Sequence, residues 1–327
     1  MDHQDLIALL ADGGFHSGHS LATRLKVTRT MVQQYIEQLR AMGIEIHSVT
    51  GKGYRLPTVF IPLSRHRILE SMGAGAGIWK RHLEVCFSTG STNADVMRLA
   101  QKGERRHLLI AEYQESGRGR RGKEWISPLG ASIAMSVLWT FDAGMETLEG
   151  LSLAVAVLVI DALHACSYSN GLGVKWPNDI LLEGRKLAGI LIEIAGNPGG
   201  PCSVVIGIGV NVKMPYSMDE RINQSYTDLS RHFEQNPDRN KIVAALASSL
   251  TAGLTQFAKE GFAPFQQAWE QLDVYKGRRV DIISGKNKMT GVAAGVNGSG
   301  ALLLDTAGGR RVIAGGELSP SLRPVSE

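Results

Sequence analysis

The chain has 327 residues, of which 43% are hydrophobic and 20% are charged, with a formal net charge of +4. This length favours two or three domains over one, and the hydrophobic fraction excludes a disordered chain. Because the net charge is small, any binding of nucleic acid must come from a local basic patch.

The cysteines and the apolar runs bear on the cellular compartment. Cys86, Cys166 and Cys202 are odd in number and far apart, which fits neither a disulfide framework nor zinc-ligand spacing. The longest apolar run, 151–160, is too short to span a bilayer, and the first residues lack the basic region of a signal peptide. We therefore expect a cytoplasmic protein without membrane association.

Residues 1–60 show the pattern of a winged helix-turn-helix DNA-binding domain. Two helical patterns are separated by a tight break at Val27–Thr28, and an alternating stretch follows that is typical of a small wing. The expected elements are a helix around 6–10, a second helix with Ser20 as its N-cap, a third helix over 29–42, and strands over 44–49 and 51–56.

Residues 63–270 are predicted to form a mixed α/β domain, and residues 271–327 a small β-barrel. Helices are expected over 147–166 and along the apolar stripe from Ile242 to Phe257, and a hairpin turn at 183–185. Short strands separated by Gly-rich and Asn-rich turns indicate the barrel. The predicted strands are 108–113, 133–138, 174–176, 180–182, 187–194, 204–210, 280–283, 289–296, 301–304 and 311–314.

The run Gly117-Arg118-Gly119-Arg120-Arg121-Gly122 is the most informative segment. Glycines allow the backbone to approach a ligand closely, and the interleaved arginines supply paired donors for phosphate or carboxylate. Trp125 follows and offers a flat apolar surface for a base. The run alone fits an RNA-binding or solvated basic loop equally well, and Trp125 alone fits a core residue.

Two further runs place charged side chains beside predicted strands. The run 175–179, Lys-Trp-Pro-Asn-Asp, ends a strand and presents Asn178 and Asp179 at a cleft edge, although both residues could simply cap the turn. Lys186 opens a strand after the hairpin turn, where it could neutralise a carboxylate and a phosphate, or remain a solvated lysine.

Small polar residues and glycines complete the candidate set. Ser91, Thr92 and Asn93 precede a helix, where they could cap its N-terminus or bind a polar ligand. The strand 205–212 contains glycines, including Gly207, that permit close backbone approach. Neither a phosphate-binding loop, a dinucleotide fingerprint nor a nucleophile-base spacing is present, so the sequence favours phosphoryl or adenylyl transfer by positioning and charge stabilisation.

Taken together, these runs resemble the biotin protein ligases, and among them the bifunctional biotin operon repressor class, over nearly the whole chain. The resemblance implies an α+β protein with a winged helix-turn-helix domain, a class II synthetase-like ligase domain and an SH3-like barrel. It implies biotin and ATP as ligands, biotinyl-5′-AMP as the intermediate, and Mg²⁺ on the phosphates, with no metal site on the protein. It also implies biotin carboxyl carrier protein as the acceptor.

The resemblance also implies roles for individual residues. Lys186, Arg118, Arg120 and Asp179 would be catalytic, with Lys186 contacting the biotin carboxyl and the α-phosphate. Asp179 would lie near the acceptor lysine. Trp125 would cover the adenine, and Asn178 and Asn211 would lie near the nucleotide. The implied ligand-binding set is Ser91, Thr92, Asn93, Gln114, Arg118, Gly119, Arg120, Trp125, Asn178, Lys186, Gly189, Gly207 and Asn211. Glu124 departs from the family, in which basic residues are common at this place.

Repression would require DNA recognition by the third helix and dimerisation of the adenylate-bound chain on operator DNA. Three alternatives remain open: a ligase whose N-terminal domain does not bind DNA, a biotin-sensing regulator without ligase activity, and a lipoate or other acyl ligase. The expected DNA-binding residues are Arg29, Thr30, Gln33 and Gln34 on the helix and Lys52 and Arg55 on the wing.

Overall fold

The computed structural model describes residues 3–195, 201–234, 236–284, 287–314 and 321–324. Within these ranges a winged helix-turn-helix unit, a seven-stranded mixed sheet with helices, and a five-stranded antiparallel sheet in the predicted barrel region follow one another along the chain. The α+β fold class is confirmed. In the described part of the chain, no helix combines the length and apolar character needed to cross a membrane.

The N-terminal unit forms around apolar residues at helical spacing. Leu6, Leu21, Val32, Ile36 and Leu39 are fully buried together, which fixes the angles between the three helices. The helices and wing strands are α1 (His3–Leu10), α2 (Gly18–Leu25), α3 (Arg29–Ala41), β1 (His47–Val49) and β2 (Gly53–Arg55).

The helix starts are set by hydroxyl side chains. The Thr28 hydroxyl accepts a hydrogen bond from the amide of Met31 at 3.2 Å, which begins α3 at the predicted break. The prediction that Ser20 caps α2 is wrong, because Ser17 has the extended backbone of a cap and accepts from the amide of Ser20 at 3.1 Å. Ser20 itself lies inside the helix.

A segment of the central domain, residues 126–130, inserts into the core of the winged helix. Leu129 is 2% exposed and lies in the winged-helix core, and its amide donates to the carbonyl of Met42 at 2.9 Å. Gly43 has φ +91°, and a Cβ there would lie 2.8 Å from Pro128. The segment 126–130 directly follows the Gly-Arg loop (residues 117–125), so a short stretch of chain connects that loop to residues that pack against the C-terminal end of α3.

The connection between the two domains is held by a buried ion pair. Arg239 and Glu112 lie 2.5 Å apart with side chains 5% and 6% exposed. Glu112 also accepts from the amide of Leu63, and Arg239 donates to the carbonyl of Ile61 at 3.0 Å. A buried pair of this kind is stable only when its remaining polar atoms are hydrogen-bonded, and here the linker supplies those partners.

Within its described residues, the central domain contains seven strands and six α-helices. The strands are β3 (Leu83–Thr89), β4 (Arg106–Gln114), β5 (Ser132–Phe141), β6 (Leu172–Lys175), β7 (Asp179–Leu182), β8 (Arg185–Ala195) and β9 (Cys202–Asn211). The helices are α4 (Arg65–Met72), α5 (Trp79–His82), α6 (Thr92–Gln101), α7 (Leu151–Ala165), α8 (Arg239–Glu260) and α9 (Ala263–Leu272).

The strands form one sheet in the order β3-β4-β5-β9-β8-β7-β6, in which only β3 and β4 are parallel. The long helices cover one face of the sheet and α6 covers the other. The predicted helix over 147–166 begins at Leu151, because Gly150 with φ +76° separates it from a preceding 3₁₀ turn.

The barrel strands are β10 (Arg279–Ser284), β11 (Asn287–Val296), β12 (Leu302–Thr306), β13 (Gly309–Ile313) and β14 (Ser321–Pro324), paired in the order β13-β12-β11-β10-β14. The barrel contacts the central domain through a hydrogen bond from the Trp176 indole to the carbonyl of Gly300 at 3.1 Å. This contact brings β14 to the edge of the cleft described below.

Replacing Leu129 with alanine should destabilise the folded chain by about 2–5 kcal/mol, because it leaves a cavity in the winged-helix core. The free energy of unfolding, measured by denaturant titration, tests this. Val59→Ala is the matched control, since Val59 is 63% exposed. Equal effects of the two changes would contradict the packing described here.

Candidate active site

A cleft of about 1050 Å³, open to solvent, lies on the sheet between the Gly-Arg loop, the N-terminus of α6 and strand β14. All the predicted ligand-binding residues except Asn211 line it. The prediction that these sequence-distant runs form one site therefore agrees with their placement.

The closed end of the cleft carries hydroxyl and amide groups. Thr92 donates twice to the side-chain oxygen of Gln114, from its amide at 2.9 Å and its hydroxyl at 3.0 Å. Ser91 caps α6, and Ser136 on β5 donates to the hydroxyl of Thr92 at 2.7 Å. All four side chains are buried, so this end offers a fixed set of donors and acceptors.

Glu193 connects this end to the Gly-Arg loop, and the sequence analysis missed it as a site residue. Its carboxylate accepts from the Asn93 amide at 2.8 Å and from the Arg118 guanidinium at 3.1 Å. Since Glu193 lies four residues after the predicted Gly189, alternation along one strand face was the available signal. Glu193 therefore sets both the orientation of the Asn93 amide and the position of the loop.

The glycines of the floor accommodate side chains of the protein itself. Gly189 and Gly209 lie opposite each other on β8 and β9, and the Trp125 indole rests on them. A Cβ at Gly209 would lie 2.3 Å from the Trp125 ring. A Cβ at Gly207 would lie equally close, 2.3 Å, to the side-chain oxygen of Asn93. The close approach expected at these glycines is thus made here by Trp125 and Asn93.

Three charged side chains lie together at the ends of neighbouring strands. They are Lys175 at the end of β6, Asp179 at the start of β7 and Lys186 near the start of β8. The Asp179 carboxylate lies 2.7 Å from the Lys186 ammonium and 3.3 Å from the Lys175 ammonium. Burial opposes ionisation of Asp179, but the two lysines outweigh it, so its pKa lies below the usual value. Burial also lowers the pKa of Lys175. A fixed carboxylate thus holds Lys186 with its ammonium beside the cleft.

The predicted arginines and asparagines lie next to this group. Arg120 donates to the side-chain oxygen of Asn178 at 3.0 Å, and Asn178 donates to the carbonyl of Ile190 at 2.7 Å. Burial lowers the pKa of Arg120, although the nearby Asp179 acts in the opposite direction. The two predicted residues Asn178 and Arg120 therefore position each other at the sheet edge.

Asn211 lies in a second recess that adjoins the cleft beyond Trp125 and Lys186. Its side-chain nitrogen donates to the carbonyl of Thr227 at 3.0 Å, so it holds the segment 212–231 against the sheet. The sequence analysis assigned no role to that segment. Its residues on the recess are Arg221, Ile222, Asn223, Gln224 and Tyr226.

The predicted DNA-binding residues form one surface on the winged helix. Arg29, Thr30, Gln33 and Gln34 are exposed on α3, and Lys52 is exposed at the wing. Arg55 is half-buried, with its guanidinium 4.9 Å from the centre of the Phe15 ring, and the Lys52 ammonium lies 5.7 Å from the same ring. The aromatic ring thus lies beside both wing cations, of which Lys52 faces solvent and Arg55 is half-buried.

Comparison with known proteins identifies the class to which this fold and site belong. Residues 85–211 match the Biotin/lipoate A/B protein ligase family, residues 3–55 an HTH domain, and residues 276–319 the Biotin protein ligase C terminal domain. The biotin protein ligase from Aquifex aeolicus in complex with biotin and ATP superposes with a TM-score of 0.65 at 25% identity, over 75% of this chain and 99% of that one.

Relatives that match along nearly the whole chain narrow the class further. The Bifunctional ligase/repressor BirA of Escherichia coli (strain K12) is 38% identical over 96% of this chain and 95% of its own length. The protein of the same name from Bacillus subtilis (strain 168) is 30% identical over 95% of this chain and 96% of its own. The chain therefore belongs to the bifunctional ligase/repressor family of biotin protein ligases.

Replacing Gly209 with alanine should displace the Trp125 indole and raise the KM for ATP about tenfold, the effect of losing one aromatic contact worth about 1.4 kcal/mol. Steady-state kinetics with ATP as the varied substrate measures this. Gly298→Ala is the control, because a Cβ there meets nothing within 4 Å. An unchanged KM would show that Trp125 does not contribute to nucleotide binding.

Proposed function

We propose that this chain forms biotinyl-5′-AMP from biotin and ATP and transfers the biotin to a lysine of biotin carboxyl carrier protein. The observation that supports this most strongly is the Lys175–Asp179–Lys186 group, which lies between a closed polar pocket and a basic recess. A ligase of this kind needs one fixed cation that both reacting anions can share.

Biotin would bind with its ureido ring in the closed end of the cleft. The ureido oxygen accepts hydrogen bonds and its two N–H groups donate, which matches the mixed set of Ser91, Thr92, Asn93 and Gln114. The apolar ring and valeryl chain would then extend along the sheet toward Lys186. The carboxylate would replace part of the contact that Lys186 makes with Asp179 at 2.7 Å.

ATP would bind with its α-phosphate between Lys186 and Arg120 and its base toward Trp125 and Asn211. Arg121, Lys123 and Arg323 line the same cleft and would face the remaining phosphates. Burial lowers the pKa of Lys123, and the positive charges of Arg323 and Lys186 lower it further. The three cations therefore lie close enough to repel one another. An anion with several charges would relieve that repulsion.

Adenylation is an in-line displacement at the α-phosphorus. A biotin carboxylate oxygen forms a bond to phosphorus while the bond to pyrophosphate breaks, and Lys186, Arg118 and Arg120 offset the developing charge. Among the described residues no group of three His, Cys, Asp or Glu side chains could hold a metal. Magnesium would be carried on the ATP phosphates, where it would neutralise charge.

Transfer of biotin to the acceptor lysine, the second step, would take place at the same site. The amine of the acceptor lysine attacks the carbonyl carbon of the mixed anhydride, and AMP leaves. Because Asp179 has a lowered pKa, it would remain ionised and orient the neutral amine by accepting a hydrogen bond from it, and the proton that the amine loses would pass to solvent. The loop 117–125 would exclude water that could otherwise hydrolyse the anhydride.

Changing Lys186 to alanine should lower biotin transfer at least a thousandfold, because the shared cation is lost at both anions. The measurement is the incorporation of labelled biotin into a biotin-acceptor domain with ATP and magnesium. Lys259→Ala on an exposed turn of α8 is the control. Normal pyrophosphate release by folded Lys186→Ala protein would contradict this role.

The same assay distinguishes the alternative functions of the wild-type chain. Wild-type chain that binds biotin without labelling the acceptor would favour a biotin-sensing regulator, and labelling with lipoate instead would favour a lipoate ligase.

We also propose that the chain represses biotin synthesis genes as a dimer when the adenylate is bound. The exposed polar face of α3 and the wing cations could read an operator, and a two-fold dimer would place two such helices on a palindrome. Bound adenylate would favour the dimer through its differential contacts with the loops. A protein that uses ATP, an acceptor carrier protein and DNA in this way would work in the cytoplasm.

Operator DNA selected from a random library should bind more tightly in the presence of biotin and ATP. The double variant Gln33→Ala/Gln34→Ala should weaken that binding about tenfold or more, since each good contact to a base edge is worth about 1–3 kcal/mol. Gln256→Ala on the exposed face of α8 is the control. Ligand-independent affinity, or no selected sequence, would favour a ligase with an N-terminal domain that does not bind DNA.

A further inference from the structure

Residues 176–178 connect strand β6 to strand β7 and separate Lys175 from Asp179, two members of the charged group. The Trp176 side chain is 1% exposed, and its indole nitrogen donates to the carbonyl of Gly300 at 3.1 Å. This bond is buried, so losing its donor would leave the Gly300 carbonyl without a partner. An unpaired buried carbonyl costs more than the hydrogen bond itself contributes.

The turn 297–301, between strands β11 and β12, holds that carbonyl in a fixed place. The side-chain oxygen of Asn297 accepts from the amides of Ser299 and Ala301 at 3.1 and 2.9 Å. Gly300 has φ +76°, and a Cβ there would lie 2.8 Å from the Cα of Gly150 at the start of α7. The turn therefore packs on α7 backbone to backbone, and a side chain at position 300 would disrupt this fit.

The other two residues of the connection are held by other parts of the molecule. The Ser152 hydroxyl on α7 donates to the carbonyl of Pro177 at 2.9 Å. The Asn178 side chain donates to the carbonyl of Ile190 on β8 at 2.7 Å, and the Ile190 amide donates back to the carbonyl of Asn178 at 3.1 Å. Trp176 is therefore the point at which the C-terminal strands hold the connection.

The carboxylate that follows this connection has little freedom to move. Asp179 lies 2.7 Å from the Lys186 ammonium and 3.3 Å from the Lys175 ammonium. A displacement of about 1 Å along either contact would break the hydrogen bond, and a misplacement of that size at a reacting site can cost about a hundredfold in rate. The position of the connection therefore matters for the charge that meets the anions.

We propose that Trp176 is a positioning residue, through which the turn 297–301 fixes the Asp179 carboxylate between the two lysines. The inference rests on the proposed function, because it is the proposed function that gives Asp179 and the lysines a part in adenylation and transfer. None of the residues 297–301 lines the cleft, so the turn acts through Trp176. The one polar side-chain atom of Trp176 is bonded to Gly300, which leaves it no donor for a ligand.

Carbon-13 NMR of the ligand-free chain, labelled at its aspartate carboxyl groups, tests the geometric half without any turnover. Burial raises the pKa of Asp179, but the two lysines outweigh it and hold the pKa below its usual value. Displacement from the lysines should therefore raise this pKa. Trp176→Phe, which keeps an aromatic ring but loses the donor, and Gly300→Ala, which displaces the turn, should both do so. Asp179→Asn assigns the signal.

The matched control lies in the same turn. Gly298→Ala adds a Cβ that meets nothing within 4 Å, so it should leave the pKa of Asp179 and the kinetics unchanged.

Steady-state kinetics tests the functional half. Trp176→Phe and Gly300→Ala should each lower kcat for biotin transfer about tenfold. The Kd for biotin, measured without ATP, should stay within about threefold of wild type, because the closed polar end of the cleft is unchanged. Since both changes act through one contact, the double variant should lose no more activity than the weaker single variant.

An unchanged pKa of Asp179 in either variant, or additive losses in the double variant, would overturn the inference. So would a raised pKa with an unchanged kcat. Loss of biotin binding in both variants would overturn it as well, because the effect would then extend to the whole fold. A wild-type chain without ligase activity would refute the proposed function, and the NMR titration would still decide whether the turn positions Asp179.

Discussion

The site depends on the ion pair between Asp179 and Lys186. Two neighbouring strands meet there, and the pair fixes a lysine that would otherwise have several rotamers at the start of a strand. Lys175 supports the same carboxylate from the third strand at 3.3 Å, which keeps Asp179 ionised. In a half-buried place such a group provides a positive charge that needs little rearrangement when anions arrive, and preorganised charge is the largest single contribution in many enzymes.

Two features connect this charged group to the rest of the molecule. The segment 212–231 is hydrogen-bonded to the backbone of Lys186, and the Gly-Arg loop is held through Arg118 and Glu193. The same loop leads into Leu129, which is buried in the winged-helix core. The chain therefore joins its ligand-binding loop to the base of helix α3 by a short and well-packed path. The buried pair of Arg239 and Glu112 holds the remaining connection between the two domains.

The sequence predicted the architecture and most of the residues that line the cleft. Period-two alternation and the hairpin at Glu183-Gly184 gave the sheet strands, and the residues of that turn have the positive φ angles that such a hairpin needs. The residues of the three informative runs meet in one cleft, although the roles given to them stay predictions. Helix starts were less predictable. Ser17 and Ser20 are both suitable residues for the cap of α2, and Ser17 is the one that caps it. Gly150 with its positive φ moves the start of α7 to Leu151.

What the sequence could not predict depends on contacts between distant segments. Alternation along β8 indicates which face Glu193 shares with Gly189, but only the fold brings its carboxylate within reach of Asn93 and Arg118. The segment 212–231 has no periodic pattern, and within it Arg231 pairs with residues 3 and 12 positions away. Arg323 reaches the cleft only because the barrel returns strand β14 to it. Such contacts have no local signature in composition or spacing.

The most direct test of the account is the exchange of labelled pyrophosphate into ATP without any acceptor protein. If the site first forms a mixed anhydride from biotin and ATP, label from pyrophosphate must enter ATP, and this exchange must require biotin. Label from inorganic phosphate must not enter ATP. We expect this result for the wild type. Transfer of biotin to an acceptor without any biotin-dependent exchange would contradict the adenylate as an intermediate, and with it the role given to the charged group around Asp179.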